Sequence, residues 1–460
     1  MLAAMSVTPS SPSDREETTA AGRAPRVRGD ACPGALRLHA ADDGALARVR
    51  VPAGLLTTRQ ALVLAELAEE LGDGNLDLTS RGNVQLRGLA GGCGGALGER
   101  LREAGLLPSD RHERVRNVAA SPLCGLDGAG HGDVQGWARE LDGLLCANPE
   151  VTELSGRFLF GLDDGRGDIA ALAPDVTLIA VGGGRAVLCY AAASPGLRIA
   201  AADGPRAAVL AAEWFLAERR AHGATAWRVR ELPVEHRPRV DALGRRLAAA
   251  GIAAEPAAVA LPSGAPVEPG LVDGPGGTTA LSVGAPLGRL TSAQWRLLAR
   301  TAVAYGSGEL RVTPWRGIVV PGRPAGEPSG PGAPARLAAL AAAGLVTSAA
   351  SPWHRAGACA GRPGCAKSLA DVRADAAACL VADPGHRGPA GLPVYWSGCE
   401  RRCGRPGGSW VDVLATADGY EVTVRAPAAG TTARAASAAE LAGAVAAARS
   451  APAPARASTA

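Results

Sequence analysis

Aromatic residues are scarce, at 3% of the 460-residue chain. Large rings therefore cannot dominate the interior, and the 47% of apolar residues must build cores from small aliphatic side chains. An excess of one charge is also lacking: 48 basic against 44 acidic residues leave +4. That balance excludes a general nucleic-acid binder but leaves room for a local basic cavity. No apolar run reaches membrane-spanning length. The N-terminal stretch MLAAMSVTPSSPSDREETTAAGRAPRVRGD lacks a basic segment followed by an apolar core, so no signal peptide is expected. A cytoplasmic location follows as the expectation, and the ten cysteines are then expected to serve metal binding, catalysis or packing rather than disulfides. No G-x-G-x-x-G turn follows a strand, so a dinucleotide site within the chain is not expected. The seven histidines are scattered, and no two-histidine, one-carboxylate iron site stands out. His354, before Cys359, and His112, before Arg116, read as surface or capping residues.

What the chain does contain is a long internal repeat. LTTRQALVLAELAEELGDGNLDLTSRGNVQLRG, from Leu56, aligns without gaps with LTSAQWRLLARTAVAYGSGELRVTPWRGIVVPG, from Leu290, at an offset of 234. A threonine N-cap precedes helical spacing at Leu62, Ala65, Leu67 and Ala68 in one copy and at Leu297, Leu298 and Val303 in the other. Alternating apolar residues follow, Leu76 and Leu78, then Val84 and Leu86. The segment LARVRVP adds a strand before the first helix. Each copy reads as strand, helix, strand, turn, strand. A single duplication predicts a pseudo-symmetric body rather than a solenoid.

Four cysteines form two close pairs: Cys359 and Cys365 in CAGRPGC, Cys399 and Cys403 in CERRC. Residues four apart on a helix share a face, so Cys399 and Cys403 can address one object. Nearby glycines at 361, 364 and 398 let backbone come close to it. Four thiolates suit zinc or an iron–sulfur cluster. The C-x5-C spacing is wide for a zinc ribbon. Cys32, Cys93, Cys124, Cys146, Cys189 and Cys379 read as packed thiols.

In TSRGNVQLRG, Arg81, Asn83, Gln85 and Arg87 alternate, which places them on one strand face. Guanidiniums and amides there suit a polycarboxylate ligand, although a solvated strand face is the blander alternative. Arg114 and Arg116 alternate as well, followed by Asn117. The second copy's turn, TPWRGIVVPG, has only Arg316, so one half of the body is expected to be the ligand side.

These features together resemble the sirohaem nitrite/sulfite reductase family. Its T-x-R-x-x-x-Q turn is matched by Thr79, Arg81 and Gln85, and its C-x5-C and G-C-x3-C pairs by Cys359, Cys365, Gly398, Cys399 and Cys403. The resemblance implies an α+β fold: ferredoxin-like half-domains at 33–105 and 278–345 alternate with larger α/β units at 113–250 and 350–450 about a pseudo-twofold. A linker at 251–277 and disordered tails at 1–32 and 451–460 complete the expected layout. It also implies that the cysteine quartet holds a [4Fe-4S] cluster. The family's basic L-P-R-K-F-K stretch reads LSGRFLF here: Arg157 keeps one basic position, while Gly156 and Leu159 lose two. That departure points to a branch in which the tetrapyrrole is substrate, held by Arg81, Asn83, Gln85, Arg116 and Arg157. The branch is an oxygen-dependent monooxygenase using a non-haem iron besides the cluster, with NADH electrons arriving through a partner reductase. Sirohaem is expected only if the chain is a true nitrite or sulfite reductase. No nucleic-acid or membrane partner is expected.

Overall fold

The fold is described from a computed structural model, covering residues 30, 32–191, 195–237, 239–260, 264–323, 331–382, 391–425, 432–435 and 437–450. The expected C-terminal tail and nearly all of the N-terminal one lie outside the described residues.

Both repeats fold as read, down to matching backbone detail. Thr57 and Thr291 each cap a helix, Thr58–Leu71 and Ser292–Tyr305, through a reciprocal capping box with Gln60 and Gln294. Ala53 and Leu287, at equivalent positions, both take left-handed conformations, φ 57° and 50°. The buried faces of the helices are Ala61, Leu64, Ala65, Leu67 and Ala68 in one, and Ser292, Trp295, Leu298, Ala299, Thr301 and Ala302 in the other. Leu62 and Leu297 are only half-buried and Val303 is exposed, because the buried stripe is rotated by about one residue from the expected one.

The two repeats also exchange strands, which periodicity alone does not reveal. Sheet I orders His39–Ala41, Gly44–Val49, Val84–Leu89, Asn75–Leu78 and, from the second repeat, Arg289–Thr291. Sheet III orders Gly270–Asp273, Thr279–Gly284, Gly317–Val320, Glu309–Val312 and, from the first repeat, Leu55–Thr57. The exchange is stitched symmetrically. The Thr58 hydroxyl donates to Gly308 O and the Ser292 hydroxyl to Gly74 O, each at 2.9 Å. The Trp295 indole N–H reaches Ala61 O at 2.7 Å, and one core spans both repeats.

The two larger units share one topology. Sheet II runs Val118–Ala120, Phe160–Asp163 and Val176–Gly182 in parallel, then turns antiparallel through Arg185–Tyr190, Gly196–Ala200 and Glu255–Ala257. Sheet IV runs Ala356–Ala358, Val394–Ser397 and Trp410–Thr416 in parallel, then antiparallel through Gly419–Arg425 and Thr432–Ala435. Helices Val134–Ala147 and Val372–Ala382 make the equivalent crossovers. The stretch 251–277 is not purely a linker. Its ends supply Glu255–Ala257 to sheet II and Gly270–Asp273 to sheet III, both edge strands, where Pro256 needs no ladder N–H. No helix among the described residues is long and apolar enough to cross a membrane.

Candidate functional site: four thiols beside an arginine cluster

The parallel strands of sheet IV deliver the cysteines. Cys359 follows Ala356–Ala358, and its N–H extends the ladder to Trp396 O at 2.9 Å. Gly398, just past the neighbouring strand, donates its N–H to Cys359 Sγ at 3.2 Å. Leu369 N–H donates to Gly398 O and Ser368 N–H to Cys365 O, both at 2.9 Å, so the Cys365 loop closes over the same strand end. A Cβ on Gly398 would fall 1.8 Å from Ser368 Oγ, so no other residue fits.

Cys399 and Cys403 do not share a helix face. They bracket a tight turn with Arg402 N–H on Cys399 O and Arg402 itself at φ 44°. The turn is held from below. Arg402 Nε donates to the buried Asp412 carboxylate at 2.6 Å, and Tyr395 Oη donates to Cys403 O, also at 2.6 Å. Arg402 is therefore a brace for the turn. Partial burial raises the Cys403 thiol, Arg401 opposes that, and the nearby Cys399, Cys359 and Cys365 raise it further. Among the described residues no three of these sulfurs close to within 4.8 Å of one another, a spacing reached by Asp163, Asp164 and Asp168. Four thiols so placed could hold a metal centre of the zinc or iron–sulfur kind.

Sheet I presents a polar face to these loops. Arg48, Gln85, Asp77 and Arg289 stand directly opposite one another across four strands. Arg87, two residues beyond Gln85, pairs bidentately with Asp43 at 2.8 Å and donates to Gly364 O at 2.8 Å. Arg373 bridges Asp77 at 3.0 Å to Cys359 O at 3.1 Å. Burial would raise the Asp77 carboxyl, but Arg373 and Arg289 outweigh it and hold it below the usual range.

Next to this face is an arginine cluster around Gly156. Arg81 Nη1 and Arg50 Nη2 both donate to Gly156 O, at 3.2 and 3.1 Å. Arg50 and Arg48 also reach Cys32 Sγ, at 3.3 and 3.6 Å. Burial, then the charges of Arg50, Arg228 and Arg48, depress the Arg81 guanidinium to about 9. Arg157 extends outward with its guanidinium 4.5 Å over the Trp227 ring. Such unneutralised charge is matched by a ligand carrying several carboxylates.

Of the residues expected to bind substrate, Arg81, Gln85 and Arg157 come to this region, Gln85 by accepting from Arg48 Nη2 at 3.0 Å. Two do not. Asn83 is buried, accepting from Val51 N–H and donating to Asn117 Oδ1. Arg116 is buried in a bidentate pair with Asp142, both bonds at 2.7 Å, and its Nη1 donates to Leu106 O. Alternation predicts a face but not what covers it, and here protein covers both. Arg48, Arg50 and Cys32 are the residues sequence reasoning missed. The alternating arginines of LARVRVP carried the signal.

The fold and site thus define a class: a duplicated, strand-exchanged protein whose four-thiol centre adjoins an arginine cluster on the first repeat. A model of the nitrite/sulfite reductase ferredoxin-like half domain matches residues 39–103 and 272–327. The chain is 28% identical over 417 residues to a precorrin-3B synthase of Sinorhizobium, covering 89% of this chain and 86% of the relative. It is 29% identical over 407 residues to a ferredoxin–nitrite reductase of Synechococcus elongatus, covering 78% and 74%. The solved structure of the Mycobacterium tuberculosis NirA protein superposes with a TM-score of 0.65 at 18% identity, covering 87% of this chain and 79% of that one. The chain thus carries two segments matched as nitrite/sulfite reductase ferredoxin-like half domains and shares the fold of such a reductase, and its curated relatives are oxidoreductases.

Proposed function

We propose that this chain acts as a precorrin-3B synthase: it hydroxylates precorrin-3A at C20, with a γ-lactone closing from the ring A acetate, in aerobic cobalamin biosynthesis. One oxygen atom of dioxygen enters the macrocycle and the other leaves as water, with two electrons from NADH delivered through a reductase. The observation that carries the reading is the pair Gly156 and Leu159. Leu159 is buried against Ala119, Ile169, Leu172 and Trp315, so no cation stands there for a small oxyanion. A Cβ on Gly156 would sit 3.0 Å from Cys32 Sγ and 3.1 Å from Arg50 Nη2, so a longer side chain there requires Cys32 and Arg50 to move.

Arg48, Arg50, Arg81 and Arg157 would bind and orient the carboxylates of a tetrapyrrole, and Gln85 would hold Arg48 in place. Cys359, Cys365, Cys399 and Cys403 would hold a [4Fe-4S] cluster, which supplies electrons one at a time. Among the described residues no two-histidine, one-carboxylate group assembles for the non-haem iron that the resemblance implies.

The test is an anaerobic spectrum with iron and acid-labile sulfide counted, followed by incubation with precorrin-3A, dioxygen, NADH and a ferredoxin reductase system. A product heavier by one oxygen atom supports the proposal. The similarity to a ferredoxin–nitrite reductase favours a second reading, a sirohaem nitrite or sulfite reductase. Sharp chlorin-type bands and consumption of nitrite or sulfite would replace the first reading with that one.

A further inference from the structure

The shared topology of sheets II and IV gives the thiol centre a counterpart on the other half of the molecule. Ser121, the first residue past Val118–Ala120, donates its N–H to Leu162 O at 3.0 Å, as Cys359 does to Trp396 O at 2.9 Å. Asp164, the first residue past Phe160–Asp163, donates its N–H to Ser121 Oγ at 3.1 Å, as Gly398 does to Cys359 Sγ at 3.2 Å. Ser121 Oγ therefore takes the place of Cys359 Sγ, and the loop after Asp163 takes the place of the loop bearing Cys399 and Cys403. Where one half gathers thiols, the other gathers oxygens.

Those oxygens are buried and incompletely paired. One carboxylate oxygen from each of Asp163, Asp164 and Asp168 falls within 4.8 Å of the others, and all three residues are at most 1% exposed. Asp163 is fully satisfied by the backbone N–H groups of Gly165, Gly167, Ile169 and Ala170, and it shapes the loop. Asp164 and Asp127 share Arg166, the only cation bonded to this group among the described residues. Asp168 Oδ1 accepts from Ser121 Oγ at 2.6 Å, but its Oδ2 has no partner among the described residues. Ser121 O in turn accepts from Gln135 Nε2 at 3.0 Å, and Gln135 Oε1, on a side chain 3% exposed, also has no partner among the described residues. Two orphaned acceptors beside four carboxylates and one guanidinium leave negative charge that a buried site does not tolerate unmatched.

We propose that this loop binds a hard divalent cation of the magnesium, calcium or manganese class, with Asp168 Oδ2, Gln135 Oε1 and Asp164 as its ligands. The all-oxygen donor set selects that class over zinc or copper. The site rests on this half's own residues and stands whether or not the proposed reaction is correct. Burial lifts the Asp168 carboxyl to about 7, so a proton is the competing occupant at neutral pH.

The test uses the full-length protein with its cysteine-bound iron intact, stripped of loosely held metal by chelator and titrated with Mn²⁺ followed by electron spin resonance. Mg²⁺ and Ca²⁺ are added in parallel thermal-shift series. The expected result is one bound Mn²⁺ and a rise in Tm. Affinity should fall at least tenfold in Asp168→Asn and in Gln135→Met, with the visible absorbance of the iron centre unchanged. Failure of the wild type to bind any of the three ions at millimolar concentration overturns the proposal. So does equal affinity in wild type and variants. Should Asp168→Asn not fold, Gln135→Met, which removes the neutral oxygen together with the Nε2 bond to Ser121 O, decides alone.

Discussion

Arg87 and Gly364 lie 277 residues apart in the chain, and Arg87 Nη2 donates to the Gly364 carbonyl at 2.8 Å. The same guanidinium, 5% exposed, pairs bidentately with Asp43, so one side chain locks the first repeat's sheet to the loop that carries Cys365. Removing Arg87 strands Asp43, whose side chain is 21% exposed, and the Gly364 carbonyl, so the loss falls below the about 3–5 kcal/mol of a fully buried pair. Arg87→Ala should therefore lower Tm and reduce iron and acid-labile sulfide per chain together. Unchanged iron content in a stably folded variant would mean that the Cys365 loop holds its place without this contact.

Cys403 and Cys93 make a matched pair of tests. Cys403 sits on an exposed turn, so Cys403→Ser leaves the fold intact and removes one thiolate. The visible cluster band should disappear with little change in far-ultraviolet circular dichroism. Cys93 is the N-cap of the helix Gly94–Glu103, where serine is a good cap. Cys93→Ser should retain the band and be neutral or slightly stabilising. Equal loss of iron in both variants would sink the assignment of the quartet.

Arg81 and Arg116, alike in the sequence, should behave differently. Arg81 donates to a backbone carbonyl and lies among Arg50, Arg228, Arg48 and Cys32, with no carboxylate paired to it among the described residues, so Arg81→Ala should weaken tetrapyrrole binding by about 10- to 100-fold, the equivalent of one charge-assisted hydrogen bond, and leave cluster content alone. Arg116→Ala strands the partly buried Asp142 and should lower Tm instead, with the folded fraction binding normally. Fluorescence quenching by a uroporphyrin-type polycarboxylate, alongside a thermal melt, separates the two. The assignment fails if Arg81→Ala loses stability but not affinity.

How much of this is legible in the sequence follows from what each signal encodes. The duplication is readable because its determinants are local: the Thr57 and Thr291 capping boxes recur at one offset. The strand exchange is not readable, because Leu55–Thr57 and Arg289–Thr291 are three residues each and nothing local states which sheet they join. The cysteine spacing reveals the donors but not the turn, since it takes Asp412, nine residues past Cys403, to hold Arg402 at positive φ. Alternation at Arg81, Asn83 and Gln85 reveals a face, whereas the partners that occupy Asn83 come from Val51 and Asn117. The mate of the thiol centre becomes visible only once Ser121 and Cys359 are seen at equivalent strand ends.

His354 ties stability to pH. Burial, then the charges of Arg355 and Arg449, depress its imidazole from 6.5 to about 4, and its Nε2 is buried with no hydrogen-bond partner among the described residues. The folded protein thus keeps this ring neutral while the unfolded chain takes up a proton near 6.5. Proton uptake by the unfolded state lowers stability, so the contribution of His354 is fully present above pH 6.5 and is lost as pH falls toward 4. The ring is only partly buried, and after discounting for solvent the loss should be about 1–2 kcal/mol. Carboxylates also titrate at the lower end of this range, so the measurement is a difference: Tm of wild type and of His354→Gln followed from pH 7 to pH 4.5. Glutamine cannot take up a proton, so the variant's curve should be the flatter of the two, with most of the divergence between pH 6.5 and 5. Parallel curves would mean that the His354 ring is hydrated in solution and titrates as it does in the unfolded chain.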